Sequence, residues 1–293
     1  MKLWKVTDEA YRTPENTGGL PSTTIWAEGV THKATRGGFI IAYRHPLLAN
    51  MAESPDTGDL HSMIQRWGVS DDMFLKSFPT SHLWEADGTV VSEASRNQED
   101  EKSNWERATG AVRCSVLTTL RRVMVIPQMS FEQGATFAVM CALEVYDNPV
   151  FTTWANSWLR KEDRTWQSAN KVVETIQMGE NLSANDPATL SAYYAASVAS
   201  ICRRHRLGET HVGWPPKEQM LLEHVLGRQC HSWSTASARK ANDAKSAAGR
   251  GCIDILKTLE KAIQPLSLGF KVLDTELGEG VWSPSSDQST SNS

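Results

Sequence analysis

The feature that most constrains this chain is the stretch from Ser103 to Ile263, where apolar residues recur at helical spacing behind clear helix starts. Ser103-Asn104-Trp105-Glu106 and Ser130-Phe131-Glu132-Gln133 both match the capping box, in which a hydroxyl and a carboxylate or amide satisfy two orphan backbone amides reciprocally. Asp186-Pro187 is a second kind of start: aspartate caps, and proline takes the first helical position, where its missing N–H costs nothing. Trp105, Ala108, Val112, Val116 and Leu120 form one apolar stripe, Leu190, Tyr194, Ser197 and Ile201 another, and Ile253, Leu256 and Ile263 a third. These signals predict helices over 103–122, 130–146, 149–160, 163–178, 187–206, 216–229 and 232–263. The last is rich in small residues between Ala236 and Gly249, which lets it lie close to its neighbours, and Gly249 and Gly251 are expected to kink or break it.

The first 50 residues differ. Pro14, Gly18, Gly19, Pro21, Gly29, Gly37, Gly38 and Pro46 fall too close together for long helices. Thr23–Ala27 and Phe39–Tyr43 are β-branched and aromatic runs bounded by turn residues, as a small sheet requires. A short helix is predicted over Asp59–Trp67, a solvated connection over Ser92–Lys102, an extended piece at Phe270–Leu273, and a disordered Ser-rich tail from Ser283. The fold class expected is therefore α+β and predominantly α. A multi-helix array or bundle carries a small N-terminal β-containing region, divided as 1–101, 102–263 and 264–293.

Composition narrows the function classes. Hydrophobic residues make up 40% and charged residues 22%, near the average of folded globular chains, and the formal charge is −4. That balance gives no long-range pull toward nucleic acid or anionic lipid, so neither is expected as a partner. No apolar run approaches the ~20 residues of a membrane span; Ala135–Val145 is interrupted by Glu144. An acidic residue, Asp8, arrives before any apolar signal segment, and five cysteines are an odd count, so a reducing, cytoplasmic setting is expected. Cys114, Cys141, Cys202 and Cys252 each follow a small residue by three positions, which reads as packing in helix seams.

The densest set of metal-ligand types is Cys202, His205, His211, His224, Cys230 and His231. Its spacing matches no zinc ribbon, finger or HExxH helix. Arg203, Arg204 and Arg206 crowd the first pair with positive charge, and read as cations at a helix C-terminus. His45, following a predicted strand, together with His61, Asp71, Asp72 and His82, would furnish an acid/base set; Asp71-Asp72 also reads as a helix start behind Ser70. Nucleophile elbow, phosphate loop and dinucleotide fingerprint are missing, and no cofactor is expected.

Among eleven tryptophans, Trp154 and Trp158 share a helix face with Phe151, a spacing that suits a core stripe or an anchor for a protein partner. The run from Asp147 through Trp154-Ala155-Asn156-Ser157-Trp158-Leu159 to Asp163-Arg164-Thr165, followed by the small-residue helix Ala192–Ser200, resembles alanine-rich helical proteins of bacteria and their phages that are described as immunity proteins. The resemblance implies packing aromatics, an Asp163 that starts the next helix, and a non-enzymatic protein that binds and neutralises a partner. The expected function is thus non-catalytic protein binding of the immunity or phage–host conflict type. An enzyme using the N-terminal His/Asp set and a phage structural or assembly subunit, which would form a homo-oligomer, are the alternatives.

Overall fold

The computed structural model describes residues 1–7, 24–35, 38–52, 82–91, 104–123, 129–179, 186–206 and 216–263. The expected helix at Asp59–Trp67, the extended piece at Phe270–Leu273 and the tail lie outside them. Within them the fold is α+β, with an antiparallel sheet and eight helices.

The sheet is built on a strand where the sequence predicts a helix. A short helix, Asn104–Thr109, ends at Gly110, whose φ of 62° turns the chain. The Ala111 N–H then bonds the Glu106 carbonyl and the Gly110 N–H the Arg107 carbonyl, the paired bonds of a Schellman stop. The chain leaves as the longest strand, Val112–Val123. The apolar spacing there suits a helix, but the segment's valines and threonines prefer a pleated surface, and the glycine decides.

In chain order the strands are β1 (Lys2–Thr7), β2 (Thr31–Lys33), β3 (Ile40–Ala42), β4 (His82–Val90) and β5 (Val112–Val123). β1 pairs with β4, β4 with one edge of β5, and β2 and β3 lie end to end along the other edge of β5. Tyr43, the residue after β3, exchanges both backbone hydrogen bonds with Trp4 of β1 (2.8 and 2.9 Å). The order β1-β4-β5-β3 therefore returns to β1, and the sheet closes into a small ring. Two register shifts between β4 and β5 leave Ser115 and Leu120 as extra residues, and such bulges bend and twist a strand as closure demands.

Alternation then sorts the side chains. Leu3, Lys5 and Thr7 of β1 point into the ring beside Trp26, Ile40, Trp84, Cys114 and Leu117, where the Trp84 indole N–H donates to the Thr7 hydroxyl at 3.1 Å. Val6 and Leu83 face the other way, onto helix α1 (Pro46–Ala52) and the helical layer.

The remaining helices are α2 (Asn104–Thr109), α3 (Phe131–Leu143), α4 (Pro149–Leu159), α5 (Trp166–Gly179), α6 (Pro187–Arg206), α7 (Pro216–Ala247) and α8 (Ile255–Ile263). The Ser130/Gln133 capping box starts α3 as its sequence requires. Asp186 starts α6 by accepting the Ala188 and Thr189 N–H groups and the Thr189 hydroxyl. Two expected helices, 216–229 and 232–263, are instead one unbroken helix, α7, followed by a stop at Gly249 (φ 67°) and Gly251 (φ 80°) and a separate α8.

α3, α6 and α7 cross closely through small residues. Ser191 and Ser237 each donate a hydroxyl to the other's carbonyl at 2.9 Å, and Ser237 also reaches the Ala138 carbonyl at 3.2 Å. A first core joins α3 to α7, with Ala138, Trp158, Ala195 and Cys230 in it. A second joins the outer face of the sheet to α1, α3, α7 and α8 through Val6, Leu48, Phe137, Ala238 and Leu259. Among the described residues no helix is long and apolar enough to cross a membrane.

Candidate functional site

The acid/base set is only partly described: His61, Asp71 and Asp72 lie outside the described residues, while His45 and His82 lie within them. His82 opens β4 opposite Thr7. His45 precedes α1, and its Nδ1 accepts the Leu47 N–H at 3.2 Å while its carbonyl accepts from Ala49 at 3.1 Å. It is a helix cap. Burial lowers its pKa below the ordinary histidine value, and the negative charge of Glu260 on α8 works in the opposite direction.

Of the metal-ligand set, the side chains of Cys202, His205 and His224, and all of His211, lie outside the described residues. Cys230 is buried in the first core and its carbonyl accepts the Ser234 hydroxyl at 2.6 Å; His231 follows on α7, its carbonyl taking the Thr235 hydroxyl at 2.9 Å. Among the described residues no group of three His, Cys, Asp or Glu side chains is placed to hold a metal. The buried thiols are suppressed as nucleophiles: burial pushes the Cys114 thiol up to about 11, and Cys141 is pushed up by burial and then by Glu144. Cys114 sits in β5, not in a helix seam.

Phe151, Trp154 and Trp158 are buried in the first core, 1%, 6% and 0% exposed, and their rings pack in a tilted row with centroids 5.6 and 5.9 Å apart. The stripe is spent on packing. The loop after it is locked by two residues the resemblance contains. Arg164 donates to the Trp158 carbonyl at 2.9 Å, pairs with Glu132 of α3, and lies over the Trp158 ring. Asp163 does not cap α5 itself. It accepts the N–H and hydroxyl of Thr165 at 3.0 and 2.8 Å and the Ser168 hydroxyl at 3.0 Å, and Thr165 caps α5 through the Ser168 N–H. Desolvation raises the Asp163 pKa, but these bonds outweigh it and hold the carboxyl below its usual range.

Two features went unread in the sequence. One is the fully buried Lys5, which alternation along β1 would have flagged only once the ring was known. The other is a set of exposed apolar side chains on and beside the sheet. The turn Ala27–Val30 is docked on Thr119, whose hydroxyl bonds the Ala27 and Val30 carbonyls. Val30 (36% exposed) ends that turn, Leu120 (45%) follows Thr119 as the extra residue of a bulge, and Ile25 (61%) lies two residues before the turn.

The class this architecture defines is an α+β chain whose helices carry a small closed sheet. Comparison with protein-family models, with curated proteins and with solved structures found no match.

Proposed function

We propose that this chain is a non-catalytic protein-binding protein of the immunity or phage–host conflict type, its helices acting as a bundle that holds the sheet rigid toward a protein partner. The observation that supports the reading is that Val30 and Leu120, flanking the hydrogen bonds between Val30 and Thr119, are exposed apolar side chains (36% and 45%), with Ile25 exposed at 61% in the segment that leads into the same turn. Several described side chains with chemistry to offer are engaged in structure: His45 caps a helix, Asp186 starts one, Asp163 braces the turn before α5 through Thr165 and Ser168, and Cys114 and Cys141 are buried thiols. The 147–200 segment that resembles immunity proteins contributes packing aromatics and the Arg164 staple, which suits a binding scaffold.

Native mass spectrometry after co-expression with the neighbouring genes tests this. A defined heteromeric complex is expected, and Ile25→Asp with Leu120→Asp should dissolve it while the melting temperature stays within a few degrees, since both side chains are exposed. A complex indifferent to both charges would remove this surface from the reading. A homo-oligomer with no foreign partner would favour the assembly-subunit alternative.

A further inference from the structure

His45 answers to two influences that favour opposite charge states. Its Nδ1 is the acceptor for the Leu47 N–H at the start of α1, and only a neutral imidazole has an acceptor nitrogen, so the cap requires the ring unprotonated with its hydrogen on Nε2. The negative charge of Glu260 on α8 favours the protonated ring. The titratable groups on the elements that pack around α1 include Lys5 of β1, His82 and Glu85 of β4, Arg239 and Asp243 of α7, and Lys257 and Lys261 of α8. Among the charged groups of the described residues, Glu260 is the one whose charge acts on the ring. α1 is only seven residues long, yet its Leu47, Leu48, Ala49 and Met51 form the wedge of the second core between the outer face of the sheet and α7. A helix that short leans heavily on its first-turn hydrogen bonds.

We propose that His45 is a pH-sensitive latch: acidification exchanges its cap on α1 for an ion pair with Glu260, and thereby loosens the joint between the sheet and the helical layer. The sign follows from the ring's chemistry. The fold holds histidine more weakly protonated than the unfolded chain does. The cap's contribution is complete above the ordinary histidine pKa and is lost as the pH falls through the lower value of the folded state.

Hydrogen exchange of the full chain, with rates corrected for the intrinsic effect of pH, reads the latch at the amides of Leu48–Ala52. Protection there should drop about fivefold between pH 7.5 and pH 5, the change expected when a cap of ordinary strength is lost. In His45→Asn, which caps without titrating, that drop should disappear. Glu260→Gln should move the transition to lower pH, because the protonated ring loses its counter-charge. Nitrogen-15 shifts of the wild-type imidazole give a reading that needs no variant: an Nε2–H tautomer with an accepting Nδ1 is expected at neutral pH. Equal pH dependence in wild type and His45→Asn, an Nδ1–H tautomer, or a transition unmoved by Glu260→Gln would each overturn the latch. None of these readings involves a partner, so the latch stands or falls separately from the proposed binding function.

Discussion

The interior of the sheet and the crossing of α3, α6 and α7 fill space in opposite ways. The ring is filled by bulk: Trp26, Trp84, Leu3, Ile40 and Leu117 occupy it, and even Lys5 is fully enclosed. The helix crossing is filled by proximity. Gly134, Ala138, Ser191, Ala195, Ser234 and Ser237 have little side chain to offer, and the backbones come close enough for serine hydroxyls to reach carbonyls on the facing helix. The first region tolerates loss of volume poorly. The second tolerates gain of volume poorly, because close-packed interiors relax little in either direction.

The sharpest way to break that contrast is Trp84→Ala, which removes a 3%-exposed ring and leaves the Thr7 hydroxyl without its indole donor. A loss of about 3–5 kcal/mol is expected from urea unfolding, and a loss under about 1 kcal/mol would mean that the ring refills itself. Next comes Ala138→Leu, which forces extra carbons into the crossing beside the Ser237 hydroxyl. A cost of about 1–3 kcal/mol is expected there, whereas the same substitution on an exposed helix face would be close to neutral.

Gly134→Ala is subtler because two effects oppose. Alanine gains about 1 kcal/mol of helix propensity over glycine, but its new Cβ would lie 2.9 Å from the Ser234 hydroxyl oxygen, which is itself bonded to the Cys230 carbonyl. Net destabilisation near 1 kcal/mol is expected, and Gly134→Ala with Ser234→Ala should recover it, since the next atom is 3.9 Å away. A double-mutant cycle with no coupling would deny the close approach.

The smallest effect is at the edge of the crossing, where Asp186 starts α6. Desolvation raises its pKa, yet the bonds from Thr189 and Ala188 prevail and hold the carboxyl below its ordinary value. Asp186→Ala should cost about 1 kcal/mol at neutral pH, and the gap between the two proteins should close as the pH falls through the folded-state pKa, because the cap is complete only above the unfolded value. Parallel melting curves at pH 7 and pH 3 would show it.

What could be read in advance follows the range of the interaction. Asp186-Pro187 and the Ser130/Gln133 box are local devices, and the structure uses both as their sequence requires. The shared face of Phe151, Trp154 and Trp158 on α4 is likewise legible from spacing, but spacing suits a core stripe and a partner anchor equally, and only the packed neighbours decide for burial. β5 reads as a helix because Val112, Val116 and Leu120 fit a helical stripe, while its true alternation is broken by the bulges at Ser115 and Leu120. Gly110 and the Val/Thr content were the contrary signals. The closing bridge from Trp4 to Tyr43 has no local signature, nor does the influence of the Glu260 charge on His45, since each depends on segments far apart in the chain. The exposure of Leu120 belongs to the same class, because it becomes the extra residue of a bulge only once β4 has set the register.

One consequence of α7 concerns how the molecule comes apart. Its 32 residues make a rod of roughly 48 Å that places Cys230 in one core and Ala238 and Ala241 in the other, and α3 likewise gives Ala138 to the first and Phe137 to the second. Neither core keeps its walls if the other melts. Heating should therefore give a single cooperative transition whose calorimetric and van't Hoff enthalpies agree, the sheet and the helices failing together despite their different interiors.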